Sequence, residues 1–313
     1  MKKLIFTLLA TLLSVSGILA QDGTKTYNYT TFGNITEIEA GFVYEIYVTK
    51  GRTSNIEVTY PERYENKLII NHNGYGKLIL RNDQIKYSKN GERVIVKLQM
   101  EEIREIDLSG AAKLYIDGEF TTNELDIELS GASKIGRFMV NSNELSIESS
   151  GASSLELVGN YREIDLESSG ACNIKISSKE TVNEFDSEIS GACKLTLDFN
   201  TYTYKGEYSG ACLINSKGIH NNMAIESSGS CTFNLEGAVK NLLNIHLSGA
   251  CKMNATNLNA TNANVVLTGV SKAEVTVKKN LNVNIGKVSK LVYHGNPTNF
   301  VDMSSTSNIV KAD

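Results

Sequence analysis

Acidic residues recur at one position of a repeated sequence, three residues before a glycine, at intervals of 19 to 21 residues. They are Asp107, Glu128, Glu148, Glu167, Glu188, Glu207 and Glu226, after which His246 takes the same place. Glu105, Asp126, Asp165 and Asp186 stand two residues earlier. If the repeats stack, these side chains form two rows of like charges, which repel each other by about 1 kcal/mol per neighbouring pair even in water.

Such a stripe of carboxylates favours two interpretations. The first is a solvated face that keeps the molecule soluble, and it is the one we prefer. The second is a face that binds Ca²⁺ or a cationic partner, with some raised carboxylate pKa values. The Gly-Gly-x-Gly-x-Asp nonapeptide of calcium-binding β-helices is absent from the sequence. We therefore predict no cofactor and no metal, with calcium as the alternative.

Five cysteines occupy a second fixed position, two residues after the repeat glycine: Cys172, Cys193, Cys212, Cys231 and Cys251. Their parity with apolar neighbours predicts that they point inward, where a free thiol packs as a small hydrophobic group. One or two strained disulfides are an alternative, since rungs about 4.8 Å apart fall within disulfide reach, although parallel side chains suit the dihedral poorly. Metal binding fits less well because a line of sulfurs is not a tetrahedron.

The elements that must position these side chains follow from the phrase Ser-Gly-Ala, which recurs with small changes around glycines 110, 131, 151, 170, 191, 210, 229, 249 and 269. Apolar and polar residues alternate on both sides of each glycine, which predicts a strand, a tight corner and a second strand in every repeat. A period near 20 residues predicts stacked coils of a parallel β-helix, or β-solenoid. The serines before the glycines would stack as a structural hydroxyl row.

The domain organisation follows from the same pattern. Residues 1–20 read as a signal peptide and 21–31 as a polar leader. Residues 32–297 form a single β-helix domain, with irregular first coils and an N-terminal β cap at 32–100, regular repeats at 101–277 and closing coils at 278–297. Residues 298–313 are a C-terminal coil or tail.

The signal peptide predicts export to the periplasm, the cell surface or the medium. Its removal takes the formal charge from −4 to −6 by deleting two lysines, and a mildly acidic chain has no electrostatic basis for binding nucleic acid. No apolar run reaches the length of a transmembrane helix. The sequence does not indicate an oligomeric state.

Polysaccharide lyases and hydrolases are the enzymes that such a fold would suggest. Their sites need a singular pair of carboxylates in a groove, and the nearly constant repeat spacing leaves no room for groove-building insertions. The four histidines, residues 72, 220, 246 and 294, are isolated in sequence, and tryptophan is absent. We therefore predict a protein that is not an enzyme, with lyase or hydrolase as the alternative.

The chain resembles the bacterial family of auto-transporter adhesins with a head GIN domain, which are exported proteins found mostly in Bacteroidetes. The resemblance rests on Phe32-Gly33-Asn34-Ile35, on the Ser-Gly-Ala corners and on the closing stretch from Gly286 to Pro297. It implies a right-handed parallel β-helix with no catalytic residues to carry over. We predict a surface adhesin for an unknown glycan or protein partner, with a structural or signalling envelope component as the alternative.

Overall fold

A computed structural model describes residues 23–30, 33–52, 55–83, 85, 91–304 and 308–312. About 70% of the chain is strand and 1% is helical, arranged as a parallel β-solenoid of about 10 turns of roughly 20 residues. The predicted fold class is therefore confirmed. The predicted signal peptide at residues 1–20 lies outside the described residues.

The N-terminal region contains seven strands and one short 3-10 helix among its described residues. They are β1 (Thr24–Thr30), β2 (Glu37–Ala40), β3 (Tyr44–Lys50), β4 (Asn55–Pro61), the 3-10 helix Glu62–Tyr64, β5 (Leu68–His72), β6 (Lys77–Asn82) and β7 (Val94–Met100). Strand β1 lies within the predicted polar leader, where its tyrosines and threonines alternate along the strand.

The regular region and the C-terminal end contain the remaining strands. They are β8 (Glu105–Leu108), β9 (Lys113–Asp117), β10 (Glu119–Leu129), β11 (Lys134–Ser149), β12 (Ser154–Gly159), β13 (Tyr161–Ser168), β14 (Asn173–Ser178), β15 (Val182–Ile189), β16 (Lys194–Asp198), β17 (Thr201–Tyr208), β18 (Leu213–Ser227), β19 (Thr232–Leu247), β20 (Lys252–Leu267), β21 (Lys272–Ile285), β22 (Lys290–His294), β23 (Asn299–Asp302) and β24 (Ile309–Lys311).

Strands that precede a Ser-Gly corner pair only with equivalent strands of the coils before and after, and strands that follow it do the same. Ile127 on β10, for example, pairs in parallel with Ile106 on β8 and with Ile147 on β11. Equivalent residues of successive repeats are therefore stacked in straight rows along the solenoid axis.

Each corner requires glycine for two reasons. Gly191 has φ +86, and a Cβ atom there would lie 2.4 Å from the carbonyl oxygen of Gly170 in the preceding coil. The next residue, Ala192, donates its N–H to that same oxygen at 2.7 Å. Because only glycine reaches this conformation without steric cost, its recurrence keeps every corner in register.

Antiparallel strands close the N-terminal end. Strand β5 pairs with β6, whereas β4 pairs with both β7 and β1, all antiparallel to their neighbours. These strands cover the edges of the first coil, which would otherwise expose unpaired backbone groups. At the other end, β23 and β24 continue the parallel pairing with β21 and β22.

Candidate functional site

A groove runs along one side of the solenoid, beside the Ser-Gly corners. Its volume is ≈ 600 Å³, and it extends over eight coils, from Asp107 to Ser248. One wall is the acidic row, which consists of Asp107, Glu128, Glu148, Glu167, Glu188, Glu207 and Glu226. The other wall is the row of corner serines 130, 150, 169, 190, 209, 228 and 248. We call this feature the acidic groove.

The parallel register brings the members of the acidic row together. Glu128 pairs with Asp107 on one side and with Glu148 on the other, so that consecutive carboxylates lie one coil apart. Burial, together with the neighbouring charges of Asp107 and Glu148, raises the pKa of Glu128 above its ordinary value. Burial and the nearby Glu39 likewise raise the pKa of Asp107. Within the described part of the chain, no ion pair involves a member of the acidic row.

The second acidic row, Glu105, Asp126, Asp165 and Asp186, lies beside the first on the same sheet face. A third row, absent from the sequence analysis, adds Glu124, Glu144, Glu163 and Glu184, which stack in register. The third row and Asp126, Asp165 and Asp186 of the second row together line a smaller depression of ≈ 310 Å³. The signal for the third row was present in the repeats, because each glutamate stands seven residues before a corner glycine.

Three cations partly neutralise these outer rows. Arg162 lies 3.4 Å from Glu144 and 2.9 Å from Glu163, Lys205 lies 2.6 Å from Glu184, and Lys77 lies 2.6 Å from Glu105. The side chains of the Arg162 and Lys205 pairs are about half exposed, so these pairs are screened by water and contribute little to stability. The face therefore keeps a strong negative charge.

Asparagines replace the carboxylates further along the same face. The register that contains Asp186 continues to Asn244, Asn264 and Asn282. Asn282 donates to the side chain of Asn264 at 2.8 Å, and Asn264 donates to that of Asn244 at the same distance. The second row thus gives way to neutral, mutually hydrogen-bonded amides, whereas the register of the acidic row continues from Glu226 to His246, Val266 and Asn284.

The five cysteines lie inside the corners and are all buried as free thiols. Four of them, Cys172, Cys193, Cys212 and Cys251, have Sγ 3.1 to 3.2 Å from the carbonyl oxygen three residues earlier, the distance for Cys231 being 3.6 Å. Burial raises the pKa of the Cys193 thiol, which further favours the protonated form. These contacts give the thiols a place in the packing of the corner.

One histidine has partners that its isolation in sequence did not indicate. His220 is buried, its Nδ1 lies 2.9 Å from Thr201 Oγ1 in the preceding coil, and its ring packs edge-on against Tyr204. Burial lowers the pKa of His220 to about 4. His246, by contrast, is exposed at the end of the acidic groove.

The arrangement suits multivalent binding. The groove offers carboxylates and hydroxyls at one coil spacing, about 4.8 Å, and the carboxylates repeat without a singular pair. Among the described residues, no group of three or more His, Cys, Asp or Glu side chains is arranged to hold a metal ion. Calcium binding by the acidic groove remains an untested alternative.

The fold and the groove define a class of protein: a parallel β-solenoid that presents long, regular faces. The chain belongs to the family described as "Putative auto-transporter adhesin, head GIN domain", whose sequence pattern matches residues 34–219 and 188–297. No curated protein matches the chain. No helix in the described ranges has the length and apolar character needed to cross a membrane.

Solved structures of similar proteins come from Bacteroidetes. A "putative adhesin" from Bacteroides fragilis is 16% identical, with 94% of this chain and 99% of that chain covered and a TM-score of 0.34. A "putative adhesin" from Parabacteroides distasonis is 13% identical, with 93% and 97% covered and a TM-score of 0.40. A "Putative lipid binding protein" from the same organism is 16% identical, with the same coverages and a TM-score of 0.39.

Proposed function

We propose that this protein is an exported, non-catalytic adhesin that binds a glycan or protein partner along the acidic groove. The observation that carries the proposal is the unneutralised acidic row, which extends over seven consecutive coils without an ion pair among the described residues. Membership of the adhesin family supports the same role.

The partner that fits this groove is extended and carries positive charge or hydrogen-bond donors. A rigid row of carboxylates at one coil spacing favours a partner with its own repeat, because several weak contacts then form together. Exposed ion pairs contribute only about 0.2–1 kcal/mol each, so binding depends on their number and weakens with salt.

The test compares the wild type with two variants on arrays of glycans and envelope proteins. Changing Glu167→Gln, Glu188→Gln and Glu207→Gln together removes charge while keeping side-chain size. We expect a loss of affinity for the captured partner of between about threefold and about 150-fold, because three contacts of about 0.2–1 kcal/mol each disappear. The matched control, Asn264→Ser with Asn282→Ser, alters the neutral end of the same face and should leave affinity unchanged.

Two results would overturn the proposal. One is a partner whose binding is equal for the wild type and the triple glutamine variant over a range of salt. The other is release of reducing or unsaturated sugars from a polysaccharide incubated with the protein, which would instead favour the lyase or hydrolase interpretation.

A further inference from the structure

Charge is segregated along the length of the solenoid. Residues 101–230 contain 22 Asp and Glu against 10 Lys and Arg, whereas residues 231–313 contain eight Lys and four Asp and Glu. The middle of the rod is therefore strongly negative and its C-terminal part is positive. The negative part of one copy can therefore attract the positive part of a second copy.

Three of these eight lysines form a row of their own. Lys252, Lys272 and Lys290 pair in register on β20, β21 and β22, three residues after successive corner glycines or their equivalent. All three side chains are exposed. Within the described residues none of them has an ion-pair or hydrogen-bond partner through its ammonium group. We call these residues the lysine row.

Exposed valines stand beside the lysine row. Val270 and Val288, each two residues before a lysine of the row, are 50% and 65% exposed. Alanine occupies the place of Val270 in most earlier coils, at residues 132, 152, 171, 192, 211 and 250. Two large apolar side chains therefore project from the corner only where the lysine row lies.

The lysine row and the acidic groove are matched in spacing as well as in charge. Both are built on the coil repeat of about 4.8 Å, so three consecutive lysines of one rod can face three consecutive glutamates of another. Each lysine of the row stands three residues after the corner glycine position, and each valine stands one residue after it. On the other side of the corner, the glutamate stands three residues before the glycine and the serine one residue before it. Valines that face the corner serines would enter the groove while the lysines meet its acidic wall.

We propose that a second copy of this chain docks on the acidic groove through its lysine row and its projecting valines. The inference rests on the proposed role of the groove as a binding surface and names a second copy as one of its partners. Two copies that run antiparallel can form both contacts at once in a closed dimer, whereas copies that run parallel must be staggered along their axes, which leaves one row free at each end for further copies.

The first measurement is the mass of the full mature chain in solution by sedimentation and light scattering, over a range of protein concentrations. At about 50 mM salt we expect species larger than the monomer, and at about 500 mM salt, where screening is strong, we expect the monomer. A monomer at every concentration and at low salt would overturn the proposal, as would an assembly indifferent to salt.

A charge exchange identifies the two surfaces. Lys252→Glu, Lys272→Glu and Lys290→Glu in one variant, and Glu167→Lys, Glu188→Lys and Glu207→Lys in another, should each reduce self-association at least about tenfold. Mixing the two variants should restore association. The new glutamates of the first variant can face the new lysines in the groove of the second, and the unchanged groove of the first can face the unchanged lysine row of the second. Failure of the mixture to associate would contradict direct contact between the rows.

Matched controls separate this contact from a general effect of charge and from misfolding. Lys113→Glu with Lys134→Glu alters the same repeat position in the first coils and should leave self-association intact. Circular dichroism and melting curves establish that the exchanged variants fold. A fully neutral variant, Lys252→Gln with Lys272→Gln and Lys290→Gln, should also remain monomeric.

The lysine variant also separates this inference from the proposed function. It keeps the acidic groove intact, so it should still capture the external partner while failing to self-associate. If partner binding depends on the glutamates but the wild type never self-associates, the adhesin proposal stands and the docking of a second copy does not.

Discussion

Two stretches of one sheet face carry different chemistry on the same backbone. On the strands that precede each corner, the outward positions are mainly carboxylates from β8 to β15, whereas on β20 and β21 they are mainly asparagines. The corner hydrogen bond is 2.7 Å in both stretches, from Ala192 to Gly170 and from Ala250 to Gly229. The geometry of the corner is therefore the same whether carboxylates or amides point outward.

This difference shows that the coil does not require carboxylates on its outward face. Asparagine amides donate to one another along the stack, as Asn282 does to Asn264 at 2.8 Å. Stacked carboxylates have acceptors only and repel. Neutral amides occupy equivalent positions of later coils, so the acidic stretch gives up some stability relative to a row of asparagines.

The largest expected effect tests whether the two stretches share one corner. Gly191→Ala in the acidic stretch and Gly249→Ala in the neutral one place a Cβ 2.4 and 2.5 Å from a carbonyl oxygen of the preceding coil. We expect each to lower the free energy of unfolding by about 3 kcal/mol or more, measured by denaturant titration. Gly286→Ala, whose Cβ meets nothing closer than 3.7 Å, is the control. Unequal losses at residues 191 and 249 would show that the corners differ.

The next effect compares how the buried His220 and the acidic face each make the free energy of unfolding depend on pH. The pKa of His220 is lowered to about 4, below its unfolded value of about 6.5, so the unfolded chain binds the proton first. The contribution of His220 to the free energy of unfolding is complete above about pH 6.5. It falls by up to about 3 kcal/mol as the pH is lowered towards 4. The raised pKa values of Asp107 and Glu128 act with the opposite sign, since protonation in the folded state removes the cost of burying their charge and relieves repulsion from neighbouring carboxylates.

His220→Gln should therefore flatten or reverse the loss of stability between pH 7 and pH 4, measured by urea unfolding at several pH values. His246→Gln, at an exposed position of the groove, is the matched control and should keep the wild-type slope. Equal slopes for the wild type and the His220 variant would show that the buried ring does not set the acid sensitivity.

The smallest effect exchanges chemistry between the two stretches. Glu188→Gln should raise the free energy of unfolding by about 0.5–1 kcal/mol, because two like-charge contacts disappear. Asn282→Asp should lower it by about 1 kcal/mol, because the hydrogen bond to Asn264 loses its donor. Melting at low and high salt measures both changes, and salt should shrink the first. The same sign for both variants would remove the distinction between the stretches.

Local periodicity accounts for most of what the sequence predicted. The strand alternation and the glycine spacing depend on residues within one repeat, so the corners, the cysteine positions and the acidic row could be located before the structure. The antiparallel pairing of β1 with β4 could not, because it depends on contacts between distant segments. The third acidic row was overlooked although its spacing was present, and the contact of His220 with Thr201 required knowing which residues stack.

The neighbour-only pairing of the coils has one further consequence. A segment of about 20 residues can be duplicated or lost between two corners without rebuilding the hydrophobic interior, since each coil meets only the two beside it. The length of the molecule is thus adjustable in increments of one coil. The length of the solenoid and the number of carboxylates that it presents would then change together, one coil at a time.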